Sequence, residues 1–145
     1  MSTGKTAQAS SRVTVHVDAQ GIHAVNGAGA RIRLAVLPSP DGFNPLELQS
    51  AALGICTAIT VRNELLRLPV VERDVQFALE VIGTKAADAP PRLARMDVAV
   101  SLAPGLRSAI DEHLLERAEA ACTIANTLQS APQIGIGLAR DEPGV

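Results

Sequence analysis

A chain of 145 residues suits one domain, and 47% hydrophobic against 19% charged residues can build a core. A net charge of −2, with Lys and Arg scattered, argues against a nucleic-acid partner, and 1% aromatics without Trp or Tyr offers few platforms for stacking bases. No stretch reaches the roughly 20 apolar residues that span a bilayer, and MSTGKTAQASS at the start has no apolar signal core, so the expected setting is cytoplasmic, away from membranes.

Residues 1–11 are small and polar and are expected to form a disordered tail. A single domain is expected over 12–140, with a short tail at 141–145. Val13, Val15 and Val17 alternate with Thr14, His16 and Asp18, the pattern of a half-buried strand. Gly21 permits a turn into a second strand, GIHAVN. A turn signal at Asn26–Gly29 leads to ARIRLAV, where Arg31 and Arg33 share the face opposite Ile32 and Leu34. Three strands in succession predict an antiparallel meander.

The loop PSPDGFNP precedes a long helix that stops before Pro69. Two strands follow, DVQFALEVIGT and PRLARMDVAVSLA, joined by the exposed loop KAADAPP. A second helical region runs from about Gly105 to Leu128, and PQIGIGLA reads as a final strand. The order βββ-α-ββ-α-β is an α+β pattern.

The long helix has a well-specified start. Asn44 is a good N-cap, Pro45 suits the first helical position, and Glu47 stands three residues after the cap as in a capping box. At about 100° per residue, Cys56 shares a face with Gln49, Ala52, Leu53, Ile59, Thr60, Asn63 and Arg67. The opposite face carries Glu47, Ala51, Gly54, Ala58, Val61 and Leu65, with Gly54 allowing close backbone approach. Polar groups near Cys56 favour a working thiol, while packing in a core is the plainer role of such a residue. On a straight helix Glu47 and Cys56 lie on opposite faces, about 13 Å apart along the axis. Either the first turn departs from the helix, or Glu47 serves a site completed by another chain.

In the second helical region Leu106, Ile110, Leu114, Ala118 and Cys122 recur every four residues and, with Ala121 and Ala125, form an apolar stripe. Two cysteines in a reducing compartment are buried free thiols or carry redox or nucleophilic chemistry. Other motifs are weaker. His16, His23 and His113 are too dispersed for a metal set, and His16 and His113 read as solvated. GAGARI fails the dinucleotide fingerprint at Ile32, GKT at Gly4–Thr6 lacks a Walker loop, and Gly135–Gly137 reads as a strand end.

NPLELQSAALGICTAITV resembles the first signature of the OsmC/Ohr family, osmotically inducible and organic-hydroperoxide-resistance proteins, and AEAACTIANTL resembles the second. The likeness runs from about Val13 to Leu138 and fits the broad OsmC-like branch better than the core reductases. It implies an α+β fold around a long central helix in an intertwined homodimer with sites at the interface. It also implies a thiol-dependent peroxidase in oxidative stress defence, with Cys56 as peroxidatic cysteine, Cys122 as resolving cysteine and Glu47 at the family's acidic position. An external dithiol would serve as reductant, with no bound cofactor or metal.

The chain departs from the family pattern in three places. Thr123 and Ala125 stand where the second signature has Pro and Ser. The loop after the first strand, QGIHAV, lacks the arginine that supports the thiolate in the reductases, leaving Arg12, Arg31 and Arg33 as alternatives. The rival readings are a non-catalytic dimer binding a small apolar ligand and, more remotely, an esterase-type or thiol-transfer enzyme using Cys56.

Overall fold

The computed structural model describes residues 11–69 and 75–139. The expected tails fall outside these residues except for Ser11. The described chain is α+β, with antiparallel sheets and four helices. Its elements are β1 (Val13–Asp18), β2 (Gly21–Asn26), β3 (Arg31–Leu34), α1 (Pro45–Leu65), β4 (Phe77–Lys85), β5 (Leu93–Leu102), α2 (Pro104–Arg107), α3 (His113–Ala120) and α4 (Thr123–Gln129). It forms two compact units, one made of residues up to Ala51 with Gly83–Arg95, the other of Ala52–Ile82 with residues from Met96 onward.

In the first unit, β1, β2 and β3 form the expected meander in that order. Both turns have local causes. Asp18 Oδ1 accepts from Gln20 N at 2.8 Å, and Gly21 takes a φ of 111° that an L side chain rarely adopts. Asn26 Oδ1 accepts from the backbone N–H groups of Ala28 and Ala30, and Gly29 takes a φ of 89°. The register sets Val15, Ala24 and Ile32 side by side, and likewise His16, His23 and Arg33. Opposed residues share a face, so one face is apolar and the other holds the imidazoles and arginines. His16 and His23 stack with ring centroids 4.9 Å apart.

The expectation that β1 is half-buried does not hold in this chain. All six of its residues are exposed, Val17 at 77%. Ala24 of β2 is buried, but among the described residues no layer covers the valines.

The start of α1 follows the capping chemistry written in its sequence. Asn44 Oδ1 accepts from the Leu46 and Glu47 N–H groups at 3.0 Å each, and Glu47 Oε2 accepts from Asn44 N at 2.9 Å. We expect Asn44→Ala to cost about 1 kcal/mol, read as a lower urea midpoint with unchanged slope; an unchanged midpoint would show that the cap contributes nothing.

In the second unit, the buried stripe of α1 passes through Leu53, Val61, Glu64 and Leu65, while Ile55 and Ile59 on the far side stay exposed. Gly54 permits close approach to β4, since a Cβ there would lie 3.0 Å from Val81 Cγ2. Val61 and Leu65 pack with Leu114 and Ala118 of α3, and Phe77, Val100 and Leu102 close the cluster from β4 and β5. Glu64 is a buried charge in this unit. Its carboxylate accepts from Arg67 Nη1 at 2.6 Å and from Arg117 Nε at 2.8 Å, so both oxygens have cationic partners.

The second helical region differs from its expectation. It is three helices, broken around Asp111 and at Cys122. Asp111 Oδ1 accepts from His113 N at 3.0 Å, which favours a new start over continuation. The inward stripe survives these breaks: Leu114, Ala118 and Cys122 are buried and Leu106 and Ile110 half-buried, whereas Ala121 turns outward. The expected final strand is absent among the described residues. PQIGIGLA has the alternation of a strand, but among the described residues it pairs with no strand, and Ile136 and Leu138 are each 99% exposed.

Candidate thiol site

Both cysteines belong to the second unit and are free thiols. Cys56 stands one turn into that unit's part of α1 and is half-buried. It lies at the edge of the buried stripe rather than on its axis. Thr57, the next residue, points about 100° further round, between Leu53 and Val61.

Cys122 stands between α3 and α4 in an extended conformation, φ −77° and ψ 106°, and is fully buried. It caps α4 with sulfur where Ser or Asn would use oxygen: Ala125 N donates to Cys122 Sγ at 3.4 Å. Thr57 Oγ1 lies 3.7 Å from the same sulfur. Burial pushes the Cys122 thiol up, but hydrogen bonds from the Ala125 N–H, the Cys56 thiol, the Thr57 hydroxyl and the Ile124 N–H outweigh it, and the thiol sits below its ordinary value. Among the described residues no charged side chain contributes to this shift. The two thiols are therefore close enough to influence one another. Thiolate is the reactive form of cysteine, so the arrangement suits two-thiol redox chemistry.

Glu47 belongs to the first unit. Besides completing the capping box, it lines a concavity of about 480 Å³ with Ile32, Arg33, Ser39, Asp41 and Phe43. Gly42 lets the loop close here, because a Cβ would meet the Arg33 carbonyl oxygen at 2.8 Å. Among the described residues Arg33 has no ion-pair partner. The sequence left Arg12, Arg31 and Arg33 equivalent, and the fold sets Arg33 beside Glu47 in one concavity. Thus Cys56 and Cys122 belong to the second unit, and Glu47 and Arg33 line one concavity of the first.

Thr57 was missed by sequence reasoning. A threonine within the spacing Leu53–Thr57–Val61 was its signal: a hydroxyl between two buried apolar residues needs a partner.

Residues 38–137 match the profile of the family described as OsmC-like protein. Among solved structures, the chain is similar to an OsmC-like protein from Mycoplasma pneumoniae, with TM-score 0.67 and 15% identity over 86% of this chain and 91% of that one. It is also similar to an organic hydroperoxide resistance protein OsmC, predicted redox protein and regulator of sulfide bond formation, from Legionella pneumophila, with TM-score 0.55 and 20% identity over 86% and 92%. A third, an OsmC-like protein of unknown function from Vibrio cholerae, gives TM-score 0.56 and 18% identity over 84% and 94%. A search of curated proteins found no match. At these identities the structural likeness speaks for the fold, and the family profile for membership.

Proposed function

The chain belongs to the OsmC-like family, and on that footing we propose that it is a thiol-dependent peroxidase acting on organic hydroperoxides. The observation that carries this reading is the pairing of half-buried Cys56 with buried Cys122, whose thiol is biased toward the thiolate. Cys56 passes its thiol proton to the Cys122 thiolate, its sulfur attacks the terminal peroxide oxygen, the O–O bond breaks, and the alcohol leaves after taking that proton. Cys56 is left as a sulfenic acid, with two electrons passed to the peroxide. Cys122 then displaces the hydroxyl to form a disulfide, and an external dithiol restores both thiols by exchange. The described residues contain no helix long and apolar enough to cross a membrane; a cytoplasmic setting would supply the dithiol.

The same reading includes a homodimer in which Glu47 and Arg33 of one chain complete the thiol site of the other. Its support is apolar surface that a single chain leaves open, namely Val13, Val15, Val17 and Ile32 on the sheet and Ile55 and Ile59 on α1. We expect light scattering to give twice the chain mass of 15.1 kDa; a monomer would remove the composite site.

The deciding assay is consumption of cumene hydroperoxide with dihydrolipoamide as reductant. Steady turnover supports the peroxidase. No consumption with this or any other dithiol would favour a dimer that binds a small apolar ligand.

A further inference from the structure

Cys122 is buried, yet its sulfur has hydrogen-bond partners from two elements. The backbone supplies Ala125 N–H at 3.4 Å, and α1 supplies the Thr57 hydroxyl at 3.7 Å. Thr57 Oγ1 has no other hydrogen-bond partner among the described residues. Its carbonyl is engaged separately, accepting from Thr60 Oγ1 at 3.0 Å. A hydroxyl can donate to a thiolate or accept from a thiol, but Ala125 N–H can only donate. With the hydroxyl turned to donate beside the fixed Ala125 N–H donor, both groups favour the deprotonated sulfur. The titratable group facing this sulfur is Cys56, also on α1.

We propose that Thr57 is a positioning residue for the thiol pair, its hydroxyl holding Cys122 Sγ as a thiolate aimed at Cys56. This rests on the peroxidase reading for its purpose, but not for its test. In the reaction, Cys122 sulfur attacks the Cys56 sulfenic sulfur, the S–S bond forms, the S–O bond breaks, and hydroxide leaves to take a proton from solvent. The hydroperoxide has already supplied the oxidation. A resolving thiol kept deprotonated needs no separate base, so the sulfenic acid is short-lived and protected from further oxidation. The role also explains why a hydroxyl stands between Leu53 and Val61 on the buried stripe. A hydrophobic residue of the same shape would fill the space and leave the sulfur without its side-chain oxygen donor.

The absence of Tyr and Trp leaves the 240 nm thiolate band unobscured. The reduced full-length protein is titrated at that wavelength as wild type, Thr57→Val, Thr57→Ser and Cys122→Ser, with circular dichroism to confirm folding. In the wild type the first thiolate should appear below the ordinary thiol range and vanish in Cys122→Ser. Thr57→Val should move that step up by about one pH unit, a tenfold fall in thiolate fraction below the midpoint. Thr57→Ser should restore it. Disulfide formation after one equivalent of diamide should slow in Thr57→Val and recover in Thr57→Ser, whether or not the protein consumes hydroperoxide. A first step unchanged in Thr57→Val, or one that persists in Cys122→Ser, overturns the proposal. Failure of hydroperoxide turnover alone, with the titration as expected, overturns the peroxidase reading and leaves the role of Thr57 standing.

Discussion

Cys56→Ser should abolish dithiol-dependent hydroperoxide consumption, lowering it by more than about a hundredfold, because a serine hydroxyl is not ionised near neutral pH as a thiol partly is. Cys122→Ser should behave differently. It should reduce about one equivalent of peroxide per chain and then stall, with Cys56 held as a sulfenic acid that dimedone traps. The two variants separate the first chemical step from the second. The roles follow from exposure: Cys56 is half-buried and can be reached, whereas Cys122 has no exposed surface in this chain. If Cys122→Ser lost the first turnover while Cys56→Ser kept it, the assignment would be reversed. Mass spectrometry of mildly oxidised wild type provides a cross-check, since an intrachain bond between the two requires that they be neighbours.

Leu114→Ala is the substitution with the largest expected effect on stability. Leu114 is fully buried and packs with Val61, Leu65 and Ala118. Removing its branched end forfeits transfer free energy and leaves a cavity, a loss of about 2–5 kcal/mol. Domains of this size are stable by about 5–15 kcal/mol, so the change takes a large share of the total. The surrounding side chains are aliphatic, and the cluster has only Phe77 as an aromatic member. Urea unfolding monitored by circular dichroism should show the midpoint fall with little change in slope. A loss below about 1 kcal/mol would mean that Leu114 is not packed in solution as it is here. The same variant should make Cys122 more accessible to alkylation, because both residues lie on one inward stripe.

Much of this fold is legible in the sequence where local rules dominate. The meander follows from alternation punctuated by Gly21 and Asn26–Gly29, and α1 begins where Asn44, Pro45 and Glu47 require. Legibility fails where the outcome depends on distant partners. PQIGIGLA alternates like a strand, but a strand is defined by a neighbour, and none stands beside it in the described chain. The break at Cys122 was hidden because a sulfur cap at 3.4 Å is an uncommon substitute for an oxygen. Periodicity carried the apolar stripe straight through it. The buried axis of α1 runs between the two faces weighed from sequence, taking Leu53 from one and Val61 and Leu65 from the other, and Thr57 stood on neither. Of the candidate site, the cysteines were readable from their motifs. The company of Arg33 and Glu47 was not, because strand register and the closing loop at Gly42 bring them together.

The segment holding Ile134, Ile136 and Leu138 offers backbone N–H and C=O groups that join no ladder among the described residues, beside side chains at least 83% exposed. Such an edge is an invitation to add a strand. In a dimer that covers it, the native state is a bimolecular species and the unfolded state is not. Mass action then makes the melting temperature rise with the protein's own concentration. Dilution acts on such a chain as a mild denaturant, and a stability value has meaning only beside the concentration at which it was measured.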